Sequence, residues 1–391
     1  MNDFMYYNPV RVHFGADAMS HLPEELGKFG ANVLLTYGGG SIKRTGLYDR
    51  VLDALRAAGK SVYELSGIMP NPRTEKVYEG IELCRREGVD FILAVGGGSV
   101  IDSAKAIGYG MCMDGDVWEL YNHTRRATGC LPIGVILTIA ASGSEMSDSS
   151  VITKEEGGIK RGYNDDICRP KFAIMNPELT MTLPDYQTAC GCTDILMHTM
   201  ERYFVNSGTM ELTDALAEGL LRTVMHNAEV LHTDPRNYDA RAEVMWASSL
   251  AHNGLTGCGS DGGDWMPHLL EHEMGGMFNV THGAGLAAVW PSWARYVYKD
   301  CLPRFVKYAV NVMGVTPCAT DEETALAGIA AMEEFYHRIG MPVNFKELGI
   351  DPTDEQMAEM AASCARACGG AKGSAKVLHQ SDMEAIYKML K

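Results

Sequence analysis

No stretch of 18 consecutive apolar residues occurs in this 391-residue chain, so no membrane-spanning helix is expected. The first residues, MNDFMYYNPV, hold neither the basic segment nor the apolar core of a secretory signal, and a cytoplasmic location is the expectation. Positive charge is scarce as well: 34 Lys and Arg stand against 50 Asp and Glu, a formal charge of −16. A surface of that sign repels a phosphate backbone, which argues against nucleic acid as a partner. Eleven cysteines are present, but their number is odd, the chain is large and no C-x-x-C pair occurs, so reduced thiols are expected instead of a disulfide framework. Beyond two glycine loops there is no internal repeat, and no segment is of low complexity.

Glycine is what the chain has in quantity, 42 residues of it, which fits a globular protein with many tight turns. The length exceeds what one hydrophobic core usually organises, so two domains are expected. Residues 1 to 180 alternate β-branched runs with helical stretches, the pattern of an α/β layer. Strands are expected at Asn32 to Thr36, Phe91 to Val95, Ile133 to Leu137 and Phe172 to Met175, with an amphipathic helix over Leu47 to Ala57. After Pro184 the strand signals fade. Residues 181 to 391 are expected to be all-helical, with one buried face formed by Leu216, Leu220, Val224, Ala228 and Leu231.

Two strands run into glycines. Gly38-Gly39-Gly40-Ser41 follows the first, and Gly96-Gly97-Gly98-Ser99 follows the second, with a helix opening around Asp102. A glycine loop between strand and helix lets backbone approach a pyrophosphate, whose charge then sits against the free N–H groups of the helix. GGGS is not G-x-G-x-x-G, and a glycine turn is often only a turn. A third small-residue segment, Thr138 to Glu145, follows another strand, and three such loops at strand ends would line one crevice, which favours a nucleotide.

The histidines carry more. Asp194 and His198 are four residues apart in a segment that reads as a helix, so both project from one face. His268 and His272 repeat that spacing, and His282 follows in Val280-Thr281-His282-Gly283. Any one of these alone reads as a surface or core histidine. Asp194 with three of these four histidines makes a mixed N/O donor set suited to Zn²⁺ or Fe²⁺.

With these features the chain resembles the iron-containing (group III) alcohol dehydrogenases, in their butanol dehydrogenase-like branch. The resemblance runs end to end through NPVRVHFG at the start, GGGSVIDSAK at 96 to 105, SGSE at 142 to 145, NPELTMTLP at 176 to 184 and HLLEHEMG at 268 to 275. It implies an α/β dinucleotide-binding domain followed by an all-α domain, with a metal held by Asp194, His198, His268 and His282. It also implies cofactor contacts at Gly97, Gly98 and Ser99 with Asp102 nearby, and at Asn71, Thr138, Ser147, Lys160 and Leu179. His272 matches the histidine beside the nicotinamide, where it either relays the alcohol proton or packs on the ring; Asp102 is the second candidate catalytic side chain. Two departures, IAASGSE for TAGTGSE and Cys190-Gly191-Cys192-Thr193 before the metal Asp, touch no ligand and bear on substrate fit. The implied chemistry is Lewis-acid activation of a substrate oxygen, with hydride passing to or from nicotinamide.

The alternative is a polyol-phosphate or sugar-phosphate dehydrogenase or lyase of related fold. Its substrate phosphate calls for Lys or Arg near the ligands, yet residues 250 to 290 contain none. A small uncharged alcohol or aldehyde is therefore expected. NADP(H) is expected in preference to NAD(H), because the loop at Gly38, Gly39 and Ser41 presents no acid to the adenosine ribose and is followed by Lys43 and Arg44. A homodimer is expected on the general prevalence of symmetric pairs.

Overall fold

Aliphatic and β-branched runs between turn residues become strands. In the computed structural model, which describes residues 1–391, these are β1 (Arg11–Phe14), β2 (Asn32–Tyr37), β3 (Ser61–Leu65), β4 (Phe91–Gly96), β5 (Ile133–Leu137) and, after a separate antiparallel hairpin of β6 (Ser149–Lys154) and β7 (Ile159–Asn164), β8 (Phe172–Met175). The sheet order is β1-β8-β5-β4-β2-β3 and every pairing in it is parallel. Buried residues fill the inner strands on both faces, as a parallel sheet covered by helices requires. The edge strands β1 and β3 are largely half-buried or exposed, with polar residues among the apolar ones, and the sequence pattern does not reveal them.

The helices of this unit are α1 (Leu22–Leu26), α2 (Ser41–Arg44), α3 (Leu47–Ala57), α4 (Thr74–Glu87), α5 (Gly98–Met111) and α6 (Trp118–Tyr121). Helix α3 buries Leu47, Val51 and Leu55, spaced four apart, in the same core as Val33, Leu35 and Phe91. The chain leaves β2 toward β3 on one side and leaves β4 toward β5 on the other. The loops after β2 and β4 therefore emerge side by side where the strand order reverses, the usual ligand crevice of an open parallel sheet.

Asn8–Thr182 form this unit, and Leu183–Lys391 form the second together with Met1–Tyr7. The sequence predicts the opening residues in the first domain; they join the second because Asn2 N–H donates to Gly259 O at 2.9 Å and Met1 packs over Gly259. The second unit consists of α7 (Asp185–Tyr203), α8 (Glu211–Thr233), α9 (Tyr238–His252), α10 (Met266–Phe278), α11 (His282–Val297), α12 (Leu302–Asn311), α13 (Asp321–Arg338), α14 (Phe345–Leu348), α15 (Asp354–Ala367) and α16 (Gln380–Met389). A two-residue ribbon, β9 (Ala371–Lys372) with β10 (Leu378–His379), is the exception to an all-helical half.

One helical face differs from expectation. Val224, Ala228 and Leu231 of α8 are buried, but Leu216 is 43% exposed and the stripe runs instead through Asp214, Ala217, Glu218 and Leu221. The acids can be buried because they are paired: Asp214 accepts from Arg304 at 2.6 Å and Lys307 at 2.7 Å, and Glu218 from Tyr203 Oη at 2.8 Å. No helix is long and apolar enough to cross a membrane.

Candidate functional site

Helix α7 is buried at every position from Thr188 to Tyr203, so its polar residues must find partners inside the fold. Asp194 and His198 point from it to one place. His268, in the first turn of α10, and His282, the first residue of α11, reach the same place from two other helices. His198 Nδ1 lies 3.4 Å from Asp194 Oδ1, and His268 Nε2 and His282 Nε2 each lie 3.5 Å from that same oxygen. With ligand bonds of about 2.0–2.2 Å, tetrahedral geometry sets donor atoms roughly 3.3–3.6 Å apart, so these are the separations of co-ligands around one cation. The donor atoms of Asp194, His268 and His282 all lie within 4.8 Å of one another. His198 shares the Asp194 oxygen but stands outside that trio. Asp194 Oδ1, His198 Nδ1 and His268 Nε2 are buried with no hydrogen-bond partner, which a divalent cation would remedy. Asp194, His268 and His282 fit a metal, and His198 stands against the same Asp194 oxygen.

Two glutamates stand behind the rings. His268 Nδ1 meets Glu201 Oε2, and His282 Nδ1 meets Glu271 Oε2, in very short contacts. An Nδ1–H donated to a carboxylate leaves the Nε2 lone pair facing the centre. Glu201 does a second job: its Oε1 accepts the His268 backbone N–H at 2.9 Å, satisfying a free donor of the first turn of α10. Neither glutamate is evident from the sequence, although Glu201 follows Asp194 by two helical turns and Glu271 follows His268 by three residues. Nor is the role of Gly283. A Cβ there would lie 2.1 Å from the Cys190 carbonyl oxygen, so only glycine lets α11 begin this close to α7.

Electrostatics match the geometry. Burial would raise Asp194, but the imidazoles of His198, His282 and His268 outweigh it and hold the carboxyl well below its ordinary range. Burial drives His198 well below the ordinary histidine value, which keeps its ring neutral at pH 7. Burial also lowers His268, but the charges of Glu201 and Asp194 overrule it and bring the ring up to about 9. Proton and metal therefore compete for His268.

His272 is half-buried beside the cluster, its ring centroid 5.9 Å from that of His282 and 6.3 Å from that of His268. Two further neighbours are not evident from the sequence. The ring of His252, the last residue of α9, lies 4.0 Å from that of His198. Trp265, in a left-handed backbone (φ 65°) rare for a bulky residue, lies 5.6 Å from His268 with the Arg202 guanidinium 4.5 Å over its face.

In the α/β unit, the predicted cofactor residues gather at the C-terminal ends of strands. Gly38, Gly39 and Ser41 follow β2, Asn71 lies in the turn after β3 at φ 52°, and Gly97, Gly98 and Ser99 follow β4. Thr138 directly follows β5, and Leu179 lies in the turn after β8. Helix α5 opens at Gly98 with no side chain capping it, so the first N–H groups of a 14-residue helix are presented at this end. Lys160, in β7, is buried. Asp102 and Ser147 lie against the segment that joins β5 to β6. Asp102 accepts from Ser144 Oγ at 2.6 Å and from Val151 N–H at 3.0 Å, and Ser147 is buried with its Oγ 3.3 Å from Lys105 Nζ. Their side chains take part in holding the segment between β5 and β6.

Comparison with known proteins agrees with this arrangement. Residues 9–177 match the family described as iron-containing alcohol dehydrogenase, and residues 188–390 match its C-terminal counterpart. The chain is 41% identical to the NADH-dependent butanol dehydrogenase A of Clostridium acetobutylicum over 99% of both chains. It is 37% identical to the NADPH-dependent aldehyde reductase YqhD of Escherichia coli over 90% of both. A crystal structure of NADH-dependent butanol dehydrogenase A from Thermotoga maritima, 36% identical, superposes with a TM-score of 0.95 over 100% of this chain and 99% of that one. A metal-type donor set on three helices, glycine loops at the ends of a parallel sheet and sequence identity along the whole length lead to one conclusion: the chain belongs to the iron-containing alcohol dehydrogenase family.

Proposed function

We propose that the chain interconverts small uncharged primary alcohols, butanol among them, and their aldehydes, with a nicotinamide dinucleotide as hydride carrier and one Fe²⁺ or Zn²⁺ held by Asp194, His198, His268 and His282. The observation that carries this reading is the convergence of three imidazole nitrogens on one buried, unpartnered carboxylate oxygen. A cation bound there supplies a Lewis acid for the substrate oxygen. The chain's part is to fix the donors: Glu201 and Glu271 hold the ring tautomers, and Asp194 stays ionised. His272, beside the ligand rings yet outside the donor set, is placed to hold the hydroxyl proton. In the α/β unit the free N–H groups at the start of α5, with Gly97, Gly98 and Ser99, receive the pyrophosphate. Thr138, whose N–H donates to Gly96 O, stands beside that loop, Asn71, Lys160 and Leu179 supply further cofactor contacts in this reading, and Asp102 and Ser147 bind its neighbouring segment.

NADP(H) is the preferred carrier in this reading. The loop after β2 contains no acid, and Ser41, Lys43 and Arg44 are exposed at its end. The nearest strand acid, Glu64, already accepts the Tyr37 and Tyr48 hydroxyls at 2.6 and 2.7 Å. Lys43 Nζ is held 4.5 Å from the Tyr48 ring centroid, at the same loop. One charge-assisted contact of about 1.5–3 kcal/mol gives roughly 10- to 150-fold discrimination. Measuring kcat/KM for NADPH and NADH with butanal tests both parts. No turnover of butanal or butanol with either cofactor overturns the activity, and a ratio at or below one overturns the preference. Ser41→Asp is expected to reverse the ratio. Sugar phosphates are expected to be poor substrates, since residues 250 to 290 carry no Lys or Arg.

A further inference from the structure

Lys105, in the middle of α5, is fully buried. An ammonium stripped of water needs its hydration replaced. Five oxygens do so: Ser144 O at 2.8 Å, Ser144 Oγ at 2.9 Å, Ser147 O at 3.0 Å, Ser147 Oγ at 3.3 Å and Ser149 O at 2.7 Å. Three N–H donors facing five acceptors resemble the oxygen shell of a monovalent cation more than a set of paired hydrogen bonds. All five oxygens come from residues 144–149, a run of turns entering β6.

The charge is balanced one helical turn away. The Ser144 hydroxyl accepts from Lys105 and donates to Asp102 Oδ1 at 2.6 Å, so a single hydroxyl bridges cation and carboxylate. Asp102 Oδ2 takes the Val151 N–H at 3.0 Å, and Asp102 O takes the Ser150 hydroxyl at 3.0 Å. The segment so gripped presses on the second glycine loop. A Cβ on Gly98 would lie 2.4 Å from Ser142 Oγ, and one on Gly97 would lie 2.9 Å from Ile139 Cβ. A shift of residues 139–149 would therefore move the wall of that loop.

We propose that Lys105 is a positioning residue whose ammonium acts as a tethered monovalent cation, setting residues 142–149 against Gly97–Ser99 and thereby shaping the cofactor site. This rests on the reading of Gly97–Ser99 as the dinucleotide loop. It assigns the buried lysine and the aspartate one turn before it one shared task.

The test is fluorescence titration of the metal-loaded Lys105→Ala protein with NADPH and NADH, together with steady-state kinetics. Cofactor Kd and KM are expected to rise about tenfold or more, with metal content unchanged and kcat at saturating cofactor altered far less. Methylammonium is expected to restore binding, and tetramethylammonium at equal ionic strength is not, because it has no N–H to share. Lys105→Arg is expected to behave like the alanine variant, since a planar guanidinium does not fit a compact shell. Wild-type cofactor affinity in Lys105→Ala, or equal response to the two ammonium ions, overturns the proposal. Should that variant not fold, Ser144→Ala removes only the bridging hydroxyl and is expected to weaken cofactor binding in the same direction; unchanged affinity there overturns the proposal as well. Gly98→Val, titrated in parallel, separates the two levels. Wild-type affinity in Gly98→Val rejects the dinucleotide loop itself, whereas loss there with unchanged Lys105→Ala and Ser144→Ala rejects only the role of Lys105.

Discussion

Asp194 is the single anion among the four proposed donors, and the groups behind the histidines are expected to decide how well those donors work. Glu201 and Glu271 are both buried and each faces the Nδ1 side of a ligand ring. Loss of such an outer partner typically costs about 10–100-fold in metal affinity. Glu271→Ala is therefore expected to weaken metal binding by about that factor while leaving all four donors in place, as read by competition with a chromogenic chelator. An unchanged affinity would show that His282 is oriented by packing alone. His268→Ala is expected to lose metal and turnover together, whereas His272→Ala is expected to keep the metal and lose turnover. The pH dependence follows from His268, which holds its proton up to about 9 in the metal-free site. Metal binding at pH 7 must expel that proton, so affinity is expected to rise with pH toward about 9, with one proton released per ion from this ring. Calorimetry in buffers of different ionisation enthalpy reads that proton directly, and a buffer-independent heat contradicts it.

The helices that carry the donors are placed by small contacts. Glu201 ties the start of α10 to α7 through the His268 N–H, and Gly283 lets the start of α11 rest on the Cys190 carbonyl. Gly283→Ala is expected to push α11 and His282 away from Asp194, destabilising the fold by about 1–3 kcal/mol and raising metal Kd at least tenfold; wild-type metal affinity in that variant would contradict this placement. In the other unit, edge strand β1 and helix α1 are joined at Glu25, which accepts from His13 at 2.9 Å, Lys28 at 2.9 Å and Arg11 at 3.0 Å. Burial raises Glu25, but these partners bring it down from 4.5 to about 2. A carboxylate depressed on folding adds stability that is complete above its unfolded value and is lost as pH falls from about 4.5 toward 2. Glu25→Gln is thus expected to lower Tm at pH 7 and to approach the wild-type Tm near pH 2, as scanning calorimetry can check. Which elements the sequence reveals follows the same physics. The inner strands β2, β4, β5 and β8 are continuous apolar runs and stand out, whereas β1, β3, β6 and β7 mix Arg, Glu, Ser and Lys into half-buried strands and do not. The α8 face is misplaced at its start because paired acids took inward positions that hydrophobicity alone assigns to leucines.

Across the whole chain, the predicted site residues separate between the two units. The α/β unit holds every predicted cofactor residue and the helical unit every predicted metal ligand. A ligand that binds only the folded state stabilises it by about 2.7 kcal/mol at 100 times its Kd, so chelation is expected to lower the Tm of the helical unit and NADPH to raise that of the α/β unit. That Asp194 and His198 lie close together was legible because i, i+4 spacing on a helix survives translation into space. Glu201, Glu271, His252 and Trp265 were not, because their roles arise only when α7, α9, α10 and α11 are brought together. The central claim is that Asp194, His198, His268 and His282 hold one catalytic cation. It is tested most directly by stripping anaerobically purified protein with a chelator, adding back Fe²⁺ or Zn²⁺ in steps, and measuring bound metal and NADPH oxidation with butanal on the same samples. Activity rising in proportion to metal, ending at one ion per chain and absent at every step in Asp194→Ala, is the result expected. Full activity in the stripped protein, or a full ion bound by Asp194→Ala, would contradict it.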